Sequence, residues 1–268
     1  MLLLSSGPMD VPSAPVSVPR APLRAVWLGR IGYREAWGLQ KRLVAARVEG
    51  RIGDTLLLLE HDAVLTLGRG ADRGHVLAPD ELLASRGIEV IQVERGGEVT
   101  YHGPGQLVGY PIIRLVDRGL LLRPFVRALE SALIATCGEL GVTAARRDGH
   151  PGCWCEPDGS LSRKIGALGL RVERGVSYHG IALNVNPDLR DFQLIDACGM
   201  PGVVSTSIAA ELGRPEASPE TTAVERAARA FCTAFADGIE APIAWIGRDE
   251  IEPGLRADAL VASAVVRP

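Results

Sequence analysis

The chain has 268 residues, 47% of them hydrophobic, and its 29 basic and 32 acidic side chains give a net charge of −3. A chain of this length can bury a sizeable core, either in one large domain or in two small ones. The near balance of charges, without a long basic run, argues against nucleic acid as a partner.

The two ends of the chain differ in composition from the middle. The first 22 residues mix Ser, Pro and Val, and we expect a disordered tail there. Leu2 to Leu4 is too short for a signal-peptide core or a membrane span, so no membrane partner is expected. We expect one folded domain over residues 23–240 and an extension of unknown role over residues 241–268. Five cysteines, an odd and sparse number, are typical of a reduced, cytoplasmic chain without stable disulfides.

Apolar spacing predicts the elements before residue 95. His61 follows a buried run directly, and we interpret it as a hydrogen-bonded turn histidine and not as a ligand. The expected elements are an edge strand over residues 25–28, a helix over 33–48, buried strands over 55–59 and 64–67, a short helix that starts at Pro79-Asp80-Glu81, and a strand over 88–93.

Residues 95–106 (Arg-Gly-Gly-Glu-Val-Thr-Tyr-His-Gly-Pro-Gly-Gln) form a central loop between two strand-like runs. Glycine is used where the backbone must take a positive φ or come close to a ligand. A plain glycine-rich hairpin is the alternative, but such a turn needs only about two to five residues and no Arg, Tyr or His. We therefore predict that the central loop binds a ligand.

Apolar spacing predicts a strand over residues 107–115 and a helix over residues 123–140. Cys137 is expected to lie on the core face of this helix as an inert small hydrophobic residue. The run from His150 to Cys155 holds three side chains of the kind that bind zinc. Its Cys-x-Cys spacing is too tight, however, and a fourth ligand with matching spacing is missing. We interpret it as a strand with Trp154 on one face and Cys153 and Cys155 on the other.

Two strand-like runs over residues 164–172 and 176–185 are joined by Glu173-Arg174-Gly175, which predicts a hairpin. The glycines of this hairpin have no side chains, so they leave room for a ligand against the sheet. Lys164 opens the first strand, where a lysine is normally a solvated strand end.

Cys198 is the best nucleophile candidate among the five cysteines, because Gly and Pro surround it in a loop instead of apolar periodicity. One or two helical turns over residues 188–194 precede it. Ser205, Thr206 and Ser207 then offer N-cap hydroxyls for a helix over 208–212. A last long helix is signalled by the cap Ser218-Pro219 and an apolar stripe from residue 224 to 235, on which Cys232 is expected to pack.

Four motifs resemble the octanoyl transferases of lipoate synthesis, and they occur in the order of that family. They are the central loop, Lys-Ile-Gly-Ala-Leu-Gly at 164–169, Tyr-His-Gly-Ile-Ala-Leu-Asn-Val at 178–185, and Ala-Cys-Gly-Met-Pro-Gly at 197–202 followed by Thr206-Ser207. The resemblance runs from about residue 25 to 236. It departs at residues 153–163, where the chain is longer and carries Cys in place of an apolar residue, and at both extended ends.

The resemblance implies an α/β domain like that of lipoate and biotin protein ligases, with a mixed sheet flanked by helices. It implies a cytoplasmic enzyme without metal or cofactor that moves an octanoyl group from octanoyl-acyl carrier protein to a lysine of lipoyl domains. These are the lipoyl domains of 2-oxoacid dehydrogenase complexes and the glycine cleavage H protein. The matching positions make Cys198 the acyl-accepting nucleophile and Lys164 its partner. The residues implied to line the substrate are Arg95, Gly96, Gly97, Glu98, Val99, Thr100, Tyr101, His102, Ala167, Leu168, Gly169, Gly180, Ile181 and Ala182.

The residue types fit this chemistry, because an ammonium such as that of Lys164 favours a thiolate, and a thioester intermediate keeps the acyl group reactive. Backbone N–H groups, His102 or Thr206 are candidate donors to the oxyanion, and Lys164 or His102 is the candidate base for the acceptor lysine. Three alternatives remain. They are an ATP-dependent lipoate or biotin ligase, a thiol hydrolase that uses Cys198 with His102 or His179, and a non-catalytic binder of lipoyl domains.

An eight-carbon tail needs an apolar groove, since each buried CH₂ contributes about 0.8 kcal/mol. We expect glycines in neighbouring strands to leave this groove, closed by Leu168 and Ile181. Gly169→Val or Gly180→Val is then expected to fill it while the protein stays folded. The glycines concerned are Gly96, Gly97, Gly166, Gly169 and Gly180.

Overall fold

A computed structural model of the chain describes residues 20–159, 161–196, 202–214 and 221–251. Its helices are α1 (Tyr33–Val48), α2 (Asp80–Ser85), α3 (Leu122–Glu139), α4 (Ile208–Glu211) and α5 (Thr221–Gly238). Its strands are β1 (Leu23–Ile31), β2 (Thr55–His61), β3 (Val64–Leu67), β4 (Glu89–Gln92), β5 (Val99–His102), β6 (Gln106–Ile112), β7 (Ala145–Arg147), β8 (His150–Cys155), β9 (Arg163–Glu173), β10 (Val176–Asn184), β11 (Val204–Ser205) and β12 (Ile243–Trp245).

The main sheet has nine strands in the order β12-β1-β2-β6-β10-β9-β8-β7, with β11 paired to β9. The β12–β1, β1–β2 and β11–β9 pairs are parallel, whereas the pairs from β2 to β7 along the sheet are antiparallel. This is the mixed sheet that was predicted.

Helices cover both faces of the main sheet. The fully apolar run of β2 is buried on both sides, because Leu56 and Leu58 belong to the cluster that includes α3 and α5, and Leu57 and Leu59 belong to the cluster under α1. A strand buried on both faces has no polar alternation, which explains its sequence. The rings of Phe231 and the other aromatic residues of α3 and α5 fill the first cluster.

A second, three-stranded sheet has the order β4-β3-β5 and its own apolar core. The two strands predicted in sequence over residues 55–59 and 64–67 therefore lie in different sheets. The runs on either side of the central loop separate in the same way, since β4 belongs to the small sheet and β6 to the main one.

Most local predictions are confirmed. Helix α1 has the predicted bounds, and α3 is shifted by one residue at each end. The β9–β10 turn has φ of +49° at Arg174 and +81° at Gly175, as a tight hairpin requires. Ser207 caps α4 by accepting a hydrogen bond from the Ala210 N–H. The predicted cap Ser218-Pro219 lies outside the described residues.

The main sheet continues beyond the predicted domain limit at residue 240. Strand β12 pairs with β1, and Ile251 packs in the cluster under α1. Strand β1 was predicted to be an edge strand, which is wrong, because β2 and β12 flank it. A three-residue strand is too short to show a periodicity in the sequence.

The described cysteines are buried free thiols. Cys137 and Cys153 Sγ lie 4.0 Å apart, a thiol–thiol hydrogen bond and not a disulfide. Burial raises the pKa of Cys155 and Cys232 to about 12. Cys153 and Cys155 face the core under α3, and the Trp154 ring lies near Lys164, so the predicted alternation of β8 is confirmed. No helix in the described ranges is long and apolar enough to cross a membrane.

Candidate active site

A cavity of about 670 Å³ lies where the central loop, the β9–β10 hairpin, the start of α3 and the β7–β8 turn meet. It brings together Lys164 and all but one of the predicted substrate-lining residues. These are Arg95, Gly96, Gly97, Glu98, Val99, Thr100, His102, Ala167, Leu168, Gly169, Gly180, Ile181 and Ala182.

Tyr101 is the predicted lining residue that points elsewhere. Its hydroxyl donates to Asp191 Oδ2 at 2.6 Å, and its ring makes an edge contact with Phe192 in the core of the small sheet. The cause is β5: residues 99–102 of the predicted loop form a strand, and successive side chains of a strand point to opposite faces.

Arg95 ties the central loop to the small sheet. Its Nη2 donates to the Thr66 carbonyl oxygen at 2.7 Å and to Thr66 Oγ1 at 2.9 Å. Two residues later, Gly97 has φ of +90°. The Gly97 carbonyl oxygen lies so close to Gly68 that a Cβ on Gly68 would be only 1.9 Å from it. The Gly96 N–H donates to the Leu170 carbonyl oxygen of β9 at 2.9 Å. The loop is therefore clamped between the two sheets.

His102 has a fixed tautomer. Gln106 Nε2 donates to the Tyr101 carbonyl oxygen and to Asn184 Oδ1, so Gln106 Oε1 is the acceptor and His102 Nδ1–H donates to it at 2.7 Å. The Asn184 side chain extends the chain of bonds by donating to the Thr206 carbonyl oxygen. Burial, followed by the nearby His61, lowers the pKa of His102 to about 3. The ring is neutral at pH 7, with Nε2 as an acceptor.

His61 packs next to the His102 ring. Its Nδ1–H donates to the Ile31 carbonyl oxygen at 2.9 Å, so Nε2 accepts from the Tyr110 hydroxyl at 2.7 Å. Its ring lies 5.8 Å from that of His102, and burial lowers the pKa of His61 to about 4. The hydrogen-bonded interpretation is confirmed, although His61 is the last residue of β2 and not a turn residue.

Among the described lining residues of the cavity, His179 is the non-glycine residue with a positive φ. It has φ of +53° in the middle of β10, and its N–H donates to Gln40 Oε1 at 2.7 Å instead of to a strand. The side chain is 1% exposed, and neither ring nitrogen has a partner among the described residues. Both nitrogens are thus available to a ligand in the cavity. Nothing in the sequence predicts this conformation, since a non-glycine residue with positive φ is uncommon.

Lys164 is buried, with 8% of its surface exposed, and is not the solvated strand end that its position suggested. Its Nζ lies 5.1 Å from the centre of the Trp154 ring, a favourable cation–π distance. Its carbonyl oxygen accepts from the Thr206 N–H at 2.9 Å, and Ser205 of β11 pairs with it.

Cys198 lies outside the described residues. Backbone hydrogen bonds fix the chain on each side of Cys198. The Asp196 N–H donates to the His75 carbonyl oxygen at 2.8 Å, and β11 begins a few residues after Cys198 and pairs with the start of β9.

The chain resembles known proteins in sequence and in fold. Residues 32–236 match the family model of the lipoyl protein ligase A/B catalytic domain. An octanoyltransferase from Acidobacterium capsulatum is 50% identical over 221 residues, which cover 80% of this chain and 90% of that protein. An octanoyltransferase from Chloroflexus aggregans is 44% identical over 209 residues, covering 78% and 92% of the two chains.

The chain belongs to the octanoyltransferase family. The predicted acyltransferase class is therefore confirmed. Among solved structures, a bipartite lipoate protein ligase from Thermoplasma acidophilum has a TM-score of 0.62 at 14% identity, covering 90% of this chain and 92% of that one. Lipoate-protein ligase A bound with ATP has a TM-score of 0.62 at 13% identity, covering 90% and 94%. These likenesses confirm the predicted ligase-like fold.

Two of the glycines that were predicted to leave the acyl groove, Gly169 and Gly180, pack against backbone atoms. A Cβ on Gly180 would lie 2.0 Å from the Gly109 carbonyl oxygen of β6, and one on Gly169 would lie 2.8 Å from the Gly96 carbonyl oxygen. Backbone packing takes this space, so a valine at Gly180 requires the backbone of β6 or β10 to shift. The apolar side chains Leu168, Ile181 and Val126 line the cavity instead.

Proposed function

We propose that the chain transfers an octanoyl group from octanoyl-acyl carrier protein to a lysine of lipoyl domains in the cytoplasm, by way of a thioester on Cys198. The observation that carries this proposal is the burial of the Lys164 ammonium in the cavity, on the strand that pairs with the segment after Cys198. A cation at this place stabilises a thiolate more than it would in water. The acceptors would be 2-oxoacid dehydrogenase complexes and the glycine cleavage H protein.

In the first step, the Cys198 thiolate attacks the thioester carbonyl carbon of the donor. A new C–S bond forms to Cys198 while the C–S bond of the donor breaks, and the thiolate of the donor leaves. This leaving thiolate takes a proton from the Lys164 ammonium. Lys164 is then a neutral amine beside the acyl-enzyme.

In the second step, the neutral amine of the acceptor lysine attacks the carbonyl carbon of the Cys198 thioester. The C–N bond forms, the proton of the nitrogen passes to the Lys164 amine, and the Cys198 thiolate leaves. The starting pair of thiolate and ammonium is restored. Lys164 thus serves both as acid and as base.

The low pKa of His102, about 3, supports Lys164 as the base in place of His102. A protonated His102 ring would be a buried positive charge close to His61, and both factors disfavour the protonated form. His102 Nε2 is instead suited to accept a hydrogen bond from a bound N–H, such as the attacking amine. In this role His102 orients the acceptor and does not hold its proton.

The two side chains that we considered as oxyanion donors are already engaged. His102 donates its Nδ1–H to Gln106, and the Thr206 hydroxyl donates to Glu211 Oε1 at 2.6 Å. Backbone N–H groups near Cys198 and the Lys164 ammonium are the remaining donors for the tetrahedral oxyanion.

The test is the intact mass of the protein after incubation with octanoyl-acyl carrier protein. We expect one octanoyl adduct that is lost on addition of a lipoyl domain and is absent in Cys198→Ala. The double variant Cys153→Ser, Cys155→Ser is the control and should still form the adduct. Turnover that requires ATP would favour a ligase, release of free octanoate without an acceptor would favour a hydrolase, and binding without any adduct would favour a non-catalytic binder.

A further inference from the structure

The pairing of strands β8 and β9 shifts by one residue at Lys164. Cys153 of β8 pairs with Gly166, but the next residue of β8, Trp154, pairs with Lys164, so β9 has one extra residue between the two pairs. In a regular strand Lys164 would share the face of Gly166, because residues two positions apart point the same way. A Cβ on Gly166 would contact Cys153 and Leu133 of α3, so that face belongs to the apolar core. The extra residue re-aims Lys164 out of this core and into the cavity, which it lines.

Two contacts then define the path of the Lys164 side chain. A Cβ on Gly152 would lie 3.0 Å from Lys164 Cε, so the aliphatic stem of the lysine passes over a residue that has no side chain. At the end of this stem, Nζ lies 5.1 Å from the centre of the Trp154 ring. A cation within about 6 Å of an indole face is attracted by the negative charge density of the ring, and tryptophan is the most effective aromatic residue in this contact. The ammonium therefore has a preferred position.

The Trp154 ring is fixed independently of Lys164. Its Nε1–H donates to the His150 carbonyl oxygen at 3.0 Å, and the Arg147 guanidinium lies 5.0 Å from the centre of the same ring. Trp154 is fully buried, and in the described part of the chain it is not among the residues that line the cavity. The ring thus keeps its place when Lys164 changes its charge. It contacts the amine of Lys164 and not the cavity itself.

We propose that Trp154 is a positioning residue for acyl transfer, whose indole face holds the Lys164 ammonium where it can pair with the Cys198 thiolate and exchange a proton. This inference rests on the proposed function. A carboxylate in the place of the ring would accept a charge-assisted hydrogen bond from the ammonium and compete with the thiolate for it. An aromatic face attracts the positive charge without accepting a proton, so it orients Lys164 and leaves the proton transfer to the reacting groups.

The main comparison is between Trp154→Phe and Trp154→Leu. Both variants lose the indole N–H bond to His150 and a similar volume, but only phenylalanine keeps a ring face for the cation. With octanoyl-acyl carrier protein and a lipoyl domain, we expect Trp154→Leu to lower kcat about tenfold or more, and Trp154→Phe to stay within about threefold of the parent. The KM for the donor should stay within about twofold in both variants, because Trp154 does not line the cavity.

A second measurement shows whether the effect passes through Lys164. The rate of Cys198 alkylation is measured as a function of pH in the parent and in the Lys164→Ala background. In the parent, Trp154→Leu should move the apparent pKa of Cys198 upward, because the ammonium is no longer held in place. In Lys164→Ala the same substitution should leave the alkylation profile unchanged, as a double-mutant cycle requires when one residue acts only through the other.

The control is Trp245→Leu, which removes a second contact between an indole ring and a cation. The Arg229 guanidinium lies 4.8 Å from the centre of the Trp245 ring, at a partly exposed position that does not line the cavity. Its loss should leave kcat and the alkylation profile as in the parent. A fluorinated tryptophan at position 154 keeps the shape of the ring but weakens its negative face. It should lower kcat, and it decides the question if Trp154→Leu does not fold.

Three results would overturn the positioning role. They are equal losses of kcat in Trp154→Phe and Trp154→Leu, an alkylation shift by Trp154→Leu that persists in the Lys164→Ala background, and a rise in KM at unchanged kcat. An unchanged kcat in the protein with the fluorinated ring would do the same. Absence of an octanoyl adduct on Cys198 in the parent protein would instead overturn the proposed function.

Discussion

At the scale of single residues, Lys164 bears most directly on the proposed acyl transfer. A lysine near a strand end is ordinarily solvated, yet here the strand β8 and the segment after Cys198 cover it. A buried cation depends on its surroundings for stability, and an opposite charge is the strongest such partner.

The first prediction concerns Lys164→Ala. Loss of the ammonium should move the apparent pKa of Cys198 upward by about one unit or more, because an opposite charge within reach lowers a thiol pKa by about this amount. The rate of Cys198 alkylation as a function of pH measures it. Lys164→Arg keeps the charge but should lose transfer activity, since guanidinium does not exchange a proton near neutral pH. An unchanged alkylation profile in Lys164→Ala would show that Lys164 does not activate this thiol.

The second prediction concerns the buried histidines. Burial lowers the pKa of His61 and His179 to about 4 and that of His102 to about 3. In the unfolded chain a histidine has a pKa of about 6.5, so the unfolded state takes up protons first as the pH falls. Stability is thus complete above about pH 6.5 and is lost progressively toward pH 4, by at most about 1.4 kcal/mol per histidine and pH unit.

Urea unfolding at a series of pH values measures this loss. The variant His179→Asn cannot titrate, and asparagine tolerates a positive φ, so it should reduce the pH slope of the unfolding free energy by roughly a third. The control is Glu89→Gln, at an exposed residue that forms an ion pair with Arg34. It should leave the pH slope of the unfolding free energy almost unchanged above pH 5. An equally steep slope in His179→Asn would contradict the assignment.

At the scale of elements, the sheet brings backbones closer than the glycine pattern suggested. Gly180 in β10 faces Gly109 in β6, next to the site where the His179 N–H leaves the ladder for Gln40. A glycine in a central strand here marks close packing of protein on protein and not a ligand groove.

The third prediction compares two glycines. Gly180→Ala should destabilise the protein by roughly 2 kcal/mol or more, because its Cβ would lie 2.0 Å from a backbone oxygen that cannot easily move. Gly138→Ala on α3 meets no atom within 4 Å and should stabilise by up to about 1 kcal/mol, because alanine is the better helix former. Unfolding free energies from urea denaturation test both. Equal stability of the two variants would mean that β10 can move away from β6.

At the scale of the whole molecule, Asp54 joins the end of α1 to the segment that follows β6. Its Oδ1 accepts from Arg47 Nε of α1 at 2.8 Å and from the Arg114 N–H at 3.0 Å, and its Oδ2 accepts from Arg118 Nε at 2.7 Å. Asp54, Arg47 and Arg118 are all buried, and Arg118 Nη1 and Nη2 have no partner among the described residues. Removal of the carboxylate would leave the buried Arg118 without its carboxylate partner and Arg47 with Asp117 alone.

The fourth prediction is that Asp54→Ala lowers the unfolding free energy by about 3 to 5 kcal/mol, the usual result of breaking one side of a buried ion pair. The matched control is Glu89→Ala, which removes the exposed pair with Arg34 and should cost at most about 1 kcal/mol. Thermal and urea unfolding of the two variants measure the difference. Similar losses in both would show that the Asp54 cluster contributes no more than a surface pair.

Local signals in the sequence were enough to predict three elements. Helix α1, helix α3 and the β9–β10 hairpin follow from apolar spacing and turn residues that lie within about twenty positions of each other. The order of the four motifs was enough to indicate the family, and the Gly- and Pro-rich setting of Cys198 made it the nucleophile candidate. Lys164 and thirteen of the fourteen predicted lining residues do line one cavity.

Contacts between distant parts of the chain determine which faces these residues present. The split into two sheets turns Tyr101 away from the cavity, the chain of bonds from His102 through Gln106 and Asn184 fixes a tautomer, and Gly180 packs on β6. Each outcome depends on a contact between residues that are far apart in the chain. Local propensity holds no information about such contacts, because strand pairing and burial are settled only when the whole sheet assembles.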